Sequence, residues 1–338
     1  MPRKEKQKLK LICTLDILKK YSDEQNPINA SKIAEYLLDY GIETERKSVY
    51  SDIAALGEYG CDIIKAADSK KGWFIGDREF EVPEIYLLSD AVRSAKFISA
   101  KKTAELITKL NSMLSVYQSQ RKKSVFFGTT DKCGNEELYY NIDKISSAIE
   151  EKKQIRLNYS TRGFDSQRRV ERKYKEMLIN PYALTWQDDH YYLIGNHAKY
   201  DNLIHLRLDR INGVEITDTP TRHFSEVSSY KEVFDTADYT NKLFGMYSGE
   251  VSKIELCCKR SITEQVLDRF SENIFIKNVT ENEFSFTFNG VISDALITWI
   301  INYGADLKVV KPDKLRQMVV ERARTVLENY SAQRSTDQ

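Results

Sequence analysis

Two stretches of the chain set cations beside hydroxyls or aromatic rings, on elements whose apolar residues face the other way. The first is Arg46, Lys47, Ser48, Tyr50 and Ser51 in RKSVYSDIAAL. Val49, Ile53 and Leu56 recur there at helical spacing and turn inward, which leaves the polar residues mostly on other faces. A helix with a packed inner side and a polar outer side can enter the major groove, where Arg and Lys meet phosphates or guanine edges. Glu43 and Glu45 offset the two cations, so charge alone fits an ordinary amphipathic helix with a solvated face. The setting of the helix, described below, is what favours DNA. Lys70 and Lys71, at the polar tip of a downstream hairpin, are the matching candidates for contacts to the DNA backbone or minor groove.

The second stretch is INPYALTWQDDHYYLIGNHAKYDNLIHLRLDRI, from Ile179 to Ile211. In its last strand, alternation sends Ile204, Leu206 and Leu208 to one face and His205, Arg207 and Asp209 to the other. A small barrel cannot bury Arg207 unpaired, so this second face is either solvated or a binding surface. Tyr159, Tyr182, Tyr191 and Tyr192 supply rings near it in sequence order. Tyrosine interleaved with arginine offers stacking surfaces and guanidinium groups, which suits single-stranded nucleic acid or nucleotides. On chemistry alone, an Arg207–Asp209 salt bridge among core tyrosines fits these residues best.

Other chemistries find little support. His190, His197, His205 and His223 form no HExxH or comparable ligand spacing, and the chain has no GxSxG, P-loop or GxGxxG. Asp188-Asp189 reads as a turn before it reads as a carboxylate pair. No catalytic residue, metal site or cofactor is expected. Cys13, Cys61, Cys133, Cys257 and Cys258 are odd in number and lack a CxxC pair, which argues against a disulfide framework or zinc site. With no signal-type leader and no apolar run near the roughly 20 residues of a membrane span, a cytoplasmic protein without membrane association is expected. The net charge of +1 makes no case for nucleic acid over the whole chain. Local patches do exist: MPRKEKQKLK at the start, and a run from Lys152 to Lys175 that sets nine cations against Asp165 and Glu171. A solvated charged face explains either patch equally well.

The elements that must position these residues follow from the patterning. A length of 338 residues implies two or three domains. Residues 9–21 read as a helix; a second starts near Asn29, with Ile28 and Ile33 at staple spacing, and ends at Gly41. A third begins near Thr44 and stops before Gly60. CDIIKAADSKKGWFIG then reads as a hairpin. That order is a winged helix-turn-helix, assigned to 1–82. Helical periodicity over 84–120 and 138–152 makes 83–152 a helical linker. Period-two alternation from Gln154, with four further short runs up to Ile216, makes 153–218 a small β-barrel. The polar stretch 219–250 reads as a second linker with some helix. Residues 251–332 run strand, helix, two strands, helix, strand, helix, an α+β domain of ferredoxin-like type. The fold class expected is therefore α+β multidomain.

The segment YYLIG followed by HLRLDRI resembles the WYL-domain family, in which an aromatic-Tyr-Leu strand precedes a strand ending in an Arg-x-Asp-Arg-like signature. Tyr191, Tyr192 and Leu193 occupy the Trp-Tyr-Leu positions, so the first aromatic departs from the name-giving Trp, and Trp186 lies too early to replace it. The winged helix-turn-helix, the helical linker, the barrel and a C-terminal part containing ALITWIINYGADLKVVKPDKLRQMV resemble the layout of bacterial WYL transcription regulators with a WCX-type extension. The resemblance implies an Sm-like (SH3-like) barrel, homodimers that often exchange C-terminal extensions and, in some members, effector binding by single-stranded nucleic acid or nucleotides. Carried over to this chain, the effector site comprises Tyr159, Tyr192, His205, Arg207 and Arg210, with Arg172 beside them. The expected function is a ligand-responsive regulator that binds double-stranded DNA. The alternatives are an accessory single-strand-binding protein of a defence or DNA-damage system, and a small-molecule sensor on the same scaffold.

Overall fold

The computed structural model describes residues 3–68, 72–120, 132–270 and 274–331. Lys70 and Lys71 lie outside the described residues. The chain is mixed α+β and divides into two compact units, Met1–Glu136 and Glu137–Gln338.

The first unit opens with α1 (Arg3–Tyr21), α2 (Ala30–Asp39) and α3 (Arg46–Glu58), followed by the hairpin β1 (Ile63–Lys65) and β2 (Trp73–Ile75). The Asn29 side chain caps α2 by accepting from Lys32 N, which satisfies one of the N–H groups orphaned at a helix start. The helix stops at Gly41, whose φ of 68° lets Ile42 N reach back to Leu37 O. α3 starts at Arg46, two residues beyond the Thr44 start read from the sequence. Ile17, Leu18, Ile33, Leu37, Val49, Ile53, Leu56 and Ile75 close one core between the three helices and the hairpin. Lys10 of α1 is also buried there and pairs with Asp52 of α3 at 3.0 Å. β2 is tied to the turn before α2 by reciprocal bonds between Ile28 and Trp73 (2.8 and 2.9 Å). Gly72 makes that approach possible, because a Cβ there would sit 2.0 Å from Ile28 O. The order is that of a winged helix-turn-helix. α4 (Val82–Ser94), α5 (Ala100–Ser112) and α6 (Val116–Ser119) follow it. Arg78 fastens them to it, with its guanidinium donating to Lys19 O, Ser22 O and Met113 O.

The second unit begins with α7 (Leu138–Glu150) and continues through β3 (Lys153–Phe164), β4 (Val170–Gln187), β5 (His190–His197), β6 (Leu203–Arg207) and β7 (Ile211–Pro220). The sheet order β6-β5-β4-β3-β7 is wholly antiparallel, which is the strand order of an Sm-like barrel. The reading of α7 as part of the connector is corrected by its packing. It lies in this unit, Asn141 donates to Ile211 O and Lys144 to Val214 O, and Leu138, Ile145 and Ala148 are buried. The strand read through Asp209 ends instead at Arg207 and gives way to a 3₁₀ turn, Leu208–Arg210.

Residues 221–250, read as a linker with some helix, do contain helix and also pack against the barrel. They hold a 3₁₀ turn (Phe224–Glu226) and α8 (Thr236–Asn241). Val227, Tyr239, Leu243 and Met246 of this segment are buried against Ile194 and Leu203 of the barrel and Val291 beyond it. Beyond lie β8 (Val251–Lys259), α9 (Thr263–Phe270), β9 (Phe275–Lys277), β10 (Glu283–Val291), α10 (Asp294–Asn302), β11 (Leu307–Lys311) and α11 (Asp313–Ser331). The antiparallel order β11-β8-β10-β9 is the ferredoxin-like one, with a core built around Phe286, Leu256, Val266 and Ile297. Among the described residues no helix is long and apolar enough to cross a membrane, and no His, Cys, Asp and Glu cluster could hold a metal. All five cysteines are free thiols.

Candidate functional site

Of the residues singled out on α3, Arg46, Lys47, Tyr50 and Ser51 are exposed. The packing of Val49, Ile53 and Leu56 into the core fixes that outward face. Tyr50 sits with its ring edge-on to Trp73 of the hairpin, the centroids 5.2 Å apart. The aromatic contact joins helix and wing, so Tyr50 is committed on one side and open on the other. Ser48 does not belong to this face. Its hydroxyl accepts from the buried ammonium of Lys10, which Asp52 also holds. A buried cation needs such partners, and Ser48 is turned inward to supply one.

In the second unit, five of the six residues assigned to an effector site line one cleft of about 560 Å³: Tyr159, Tyr192, His205, Arg207 and Arg210. Sheet register explains the grouping. Tyr192 of β5 lies opposite Arg207 of β6, and Tyr159 of β3 lies opposite Ile211, directly after the 3₁₀ turn that carries Arg210. Arg172 is not among them; it sits exposed on β4, opposite Arg162. The opposite wall is Gly245, Met246, Tyr247 and Ser248 from the segment read as a linker, and sequence reasoning missed all four. The signal for them was the short apolar run Leu243-Phe244-Gly245-Met246-Tyr247 near the end of a stretch read as polar.

The two arginines of the cleft differ. Arg207 donates twice to Asp209, Nε to Oδ1 at 2.9 Å and a terminal nitrogen to Oδ2 at 2.7 Å. The 3₁₀ turn brings the carboxylate back to it, as the two-residue spacing suggested. Burial works to raise the Asp209 carboxyl, but the hydrogen bonds and charge of Arg207 outweigh it and hold Asp209 below its ordinary value. Arg210 also lends charge to Asp209, but among the described residues its buried Nε makes no hydrogen bond. Once the Arg207–Asp209 pair is neutralised, the cleft keeps a second guanidinium beside two tyrosine rings. That combination suits a stacked base with an anionic group attached.

His205 plays a different part. Its Nε2 is 2.9 Å from the Tyr239 hydroxyl and its Nδ1 is 3.3 Å from Ser248 Oγ, so both ring nitrogens are engaged by the outer wall. Burial pushes its pKa down to about 4. The Ser248–His205 pair resembles a nucleophile and its base only superficially. A neutral imidazole with so low a pKa is a weak base, a tyrosine stands where a triad has its carboxylate, and Ser248 Oγ donates to Leu203 O. His190 lies nearby, its ring edge-on to Tyr192. Burial and then the charge of Arg207 lower its pKa, which keeps the ring neutral beside the cations.

Residues 140–216 match the WYL domain model and residues 253–327 match the WCX domain model. The WYL match begins inside α7 and ends in β7, and the WCX match runs from β8 into α11. No curated protein matches the chain. Among solved structures, the chain is similar to proteasome accessory factor B/C (PafBC) of Arthrobacter aurescens, at 16% identity and a TM-score of 0.28. The alignment covers 92% of this chain and 47% of that one, so the chain spans about half its length. By these two matches, residues 140–216 are similar to WYL domains and residues 253–327, behind the barrel, to WCX domains.

Proposed function

We propose that the chain is a cytoplasmic, homodimeric transcription regulator. It grips double-stranded DNA with α3 and the β1–β2 wing and takes a nucleotide or single-stranded nucleic acid in the WYL cleft. The observation that carries the reading is the buried, unpartnered Nε of Arg210 in a cleft shared with Tyr159, Tyr192 and Arg207. A buried guanidinium N–H left without an acceptor costs stability unless a ligand completes it. The flanking rings select a ligand with a flat face. Arg46, Lys47 and Ser51, exposed along α3, are the groups free to meet phosphate and base edges, with Tyr50 at the junction with the wing. The chain acts by binding, and no residue in the cleft is arranged for catalysis.

Two populations of dimer differing in the spacing of their winged helices would let an effector in the cleft set duplex affinity, provided that it binds one of them more tightly. The test is a titration of the full chain with nucleoside monophosphates and short single strands, followed by fluorescence anisotropy. Arg210→Ala is expected to weaken binding by at least tenfold and to leave the fold intact. Equal affinity in wild type and variant, or no binding by wild type, would overturn the assignment of the cleft.

A further inference from the structure

The β3–β4 hairpin is longer than the barrel requires. β7 pairs with β3 only as far as Tyr159, and β5 pairs with β4 only from Ile179 onward. Between those limits the two strands pair with each other alone, through Ser160↔Tyr174, Arg162↔Arg172 and Phe164↔Val170. The result is a two-stranded ribbon that stands off the barrel. Residues directly opposite share a face. One face therefore carries Tyr174, the two arginines and, at the tip, Phe164 and Val170. The other face continues from the cleft residue Tyr159, with Lys175 opposite it and then Lys173 opposite Thr161.

Two features of the ribbon work against its own stability. Phe164, Val170 and Tyr174 are 77%, 67% and 59% exposed. Arg162 and Arg172 stand directly opposite each other with no ion pair to either among the described residues, an arrangement of like charges that destabilises a strand pair. Residues 160–175 hold six cations against Asp165 and Glu171, in a chain whose net charge is +1. Both acids are already occupied: Asp165 accepts from Arg169 and from the backbone of its own turn, and Glu171 pairs with Lys173. Arg162, Arg168, Arg172 and Lys175 are left to face solvent.

We propose that this ribbon is a second subsite, continuous with the cleft, for the backbone and bases of a single-stranded nucleic acid. The barrel would then bind an extended strand of several nucleotides in preference to one nucleotide. The inference rests on the reading of the cleft as a nucleotide site. Exposed rings interleaved with arginines fit unpaired bases, whose faces are open, and a duplex hides those faces. Lys175 and Lys173 step outward from Tyr159 two residues apart, about 7 Å, and follow a strand as it leaves the cleft.

The experiment compares thymidine monophosphate with an oligothymidylate of about twelve nucleotides on the full chain, by fluorescence anisotropy at several salt concentrations. Wild type is expected to bind the strand at least tenfold more tightly than the monophosphate. Combined Arg162→Ser, Arg172→Ser and Lys175→Ser should abolish that gain, leave monophosphate binding unchanged, and lower the log–log salt slope by about 2. Phe164→Ser with Tyr174→Ser should weaken strand binding at least fivefold with the salt slope intact. All five side chains are exposed, and a thermal melt confirms that the variants are folded. Three results would overturn the inference: monophosphate binding without a length gain, a gain that survives both variants, or a duplex of the same sequence competing equally for the ribbon. Failure of wild type to bind even the monophosphate would overturn the cleft reading as well.

Discussion

The face of α3 and the cleft of the WYL barrel both carry arginine beside tyrosine, but they hold their charges in opposite ways. Arg46 and Lys47 project from the helix into solvent, and the core beneath is closed by Val49, Ile53 and Leu56 without them. In the cleft, Arg207 is 23% exposed and is bonded twice to Asp209, itself 8% exposed. The first surface can lose its cations with no consequence for the fold. In the second, one arginine is structural, while its neighbour Arg210 donates no hydrogen bond from its buried Nε among the described residues, so on the reading proposed above two residues three positions apart separate stability from binding.

The sharpest way to break that comparison is to delete the structural member. Arg207→Ala takes two charge-assisted hydrogen bonds from a buried carboxylate and should cost about 3–5 kcal/mol of stability in urea unfolding, whereas Arg46→Ala should stay within about 0.5 kcal/mol. Equal costs would mean that Arg207 is not held as described.

His205 offers a second contrast, in pH. Its folded pKa, lowered to about 4 by burial, lies below the value near 6.5 of the unfolded chain. The unfolded state therefore binds the proton first. Its contribution is complete above pH 6.5 and is lost as pH falls towards 4, a change of up to about 3 kcal/mol. His205→Gln should flatten that part of the stability profile. Carboxylates with lowered pKa values, such as Asp209, act only at the acid end of this window, and an unchanged slope between pH 6.5 and 5 would show that His205 is not buried neutral.

Within α3, Ser48→Ala removes an acceptor from the buried Lys10 and should cost about 1 kcal/mol. Duplex binding should be unaffected as long as the variant is folded. Ser51→Ala should do neither harm nor good to stability. The smallest effect belongs to the ribbon. Arg172→Ala relieves the like-charge pair with Arg162 and should be neutral or stabilising by about 0.2–1 kcal/mol. A clear loss of stability would mean that Arg172 has a structural partner.

The parts of this arrangement that were legible in the sequence rest on short-range relations. The two-residue step from Arg207 to Asp209 announced a salt bridge, and the inward periodicity of Val49, Ile53 and Leu56 announced the outer face of α3. What was not legible depends on residues far apart in the chain. His205 finds Tyr239 and Ser248, 34 and 43 residues away, inside a stretch where apolar anchors such as Val227 and Leu243 follow no helical or strand period. Ser48 was misplaced on the DNA face because nothing local reveals that a lysine of α1 is buried against it. α7 was read as connector because its amphipathic pattern is the same whichever partner it meets, and only its bonds to Ile211 and Val214 give it to the barrel. Arg172 was drawn to the cleft by the family resemblance, but the register of β3 and β4 carries it outward onto the ribbon.

On the function proposed above, recognition of duplex DNA and recognition of the effector reside in separate side chains of one chain. The most direct measurement crosses two variants with two ligands: a promoter-derived duplex and a short single strand, each titrated at moderate salt against Arg46→Ala with Lys47→Ala and against Arg210→Ala. The account expects the first variant to lose the duplex and keep the strand, and the second to keep the duplex and lose the strand. Duplex binding that survives the loss of Arg46 and Lys47, or a single variant that loses both ligands while folded, would contradict it.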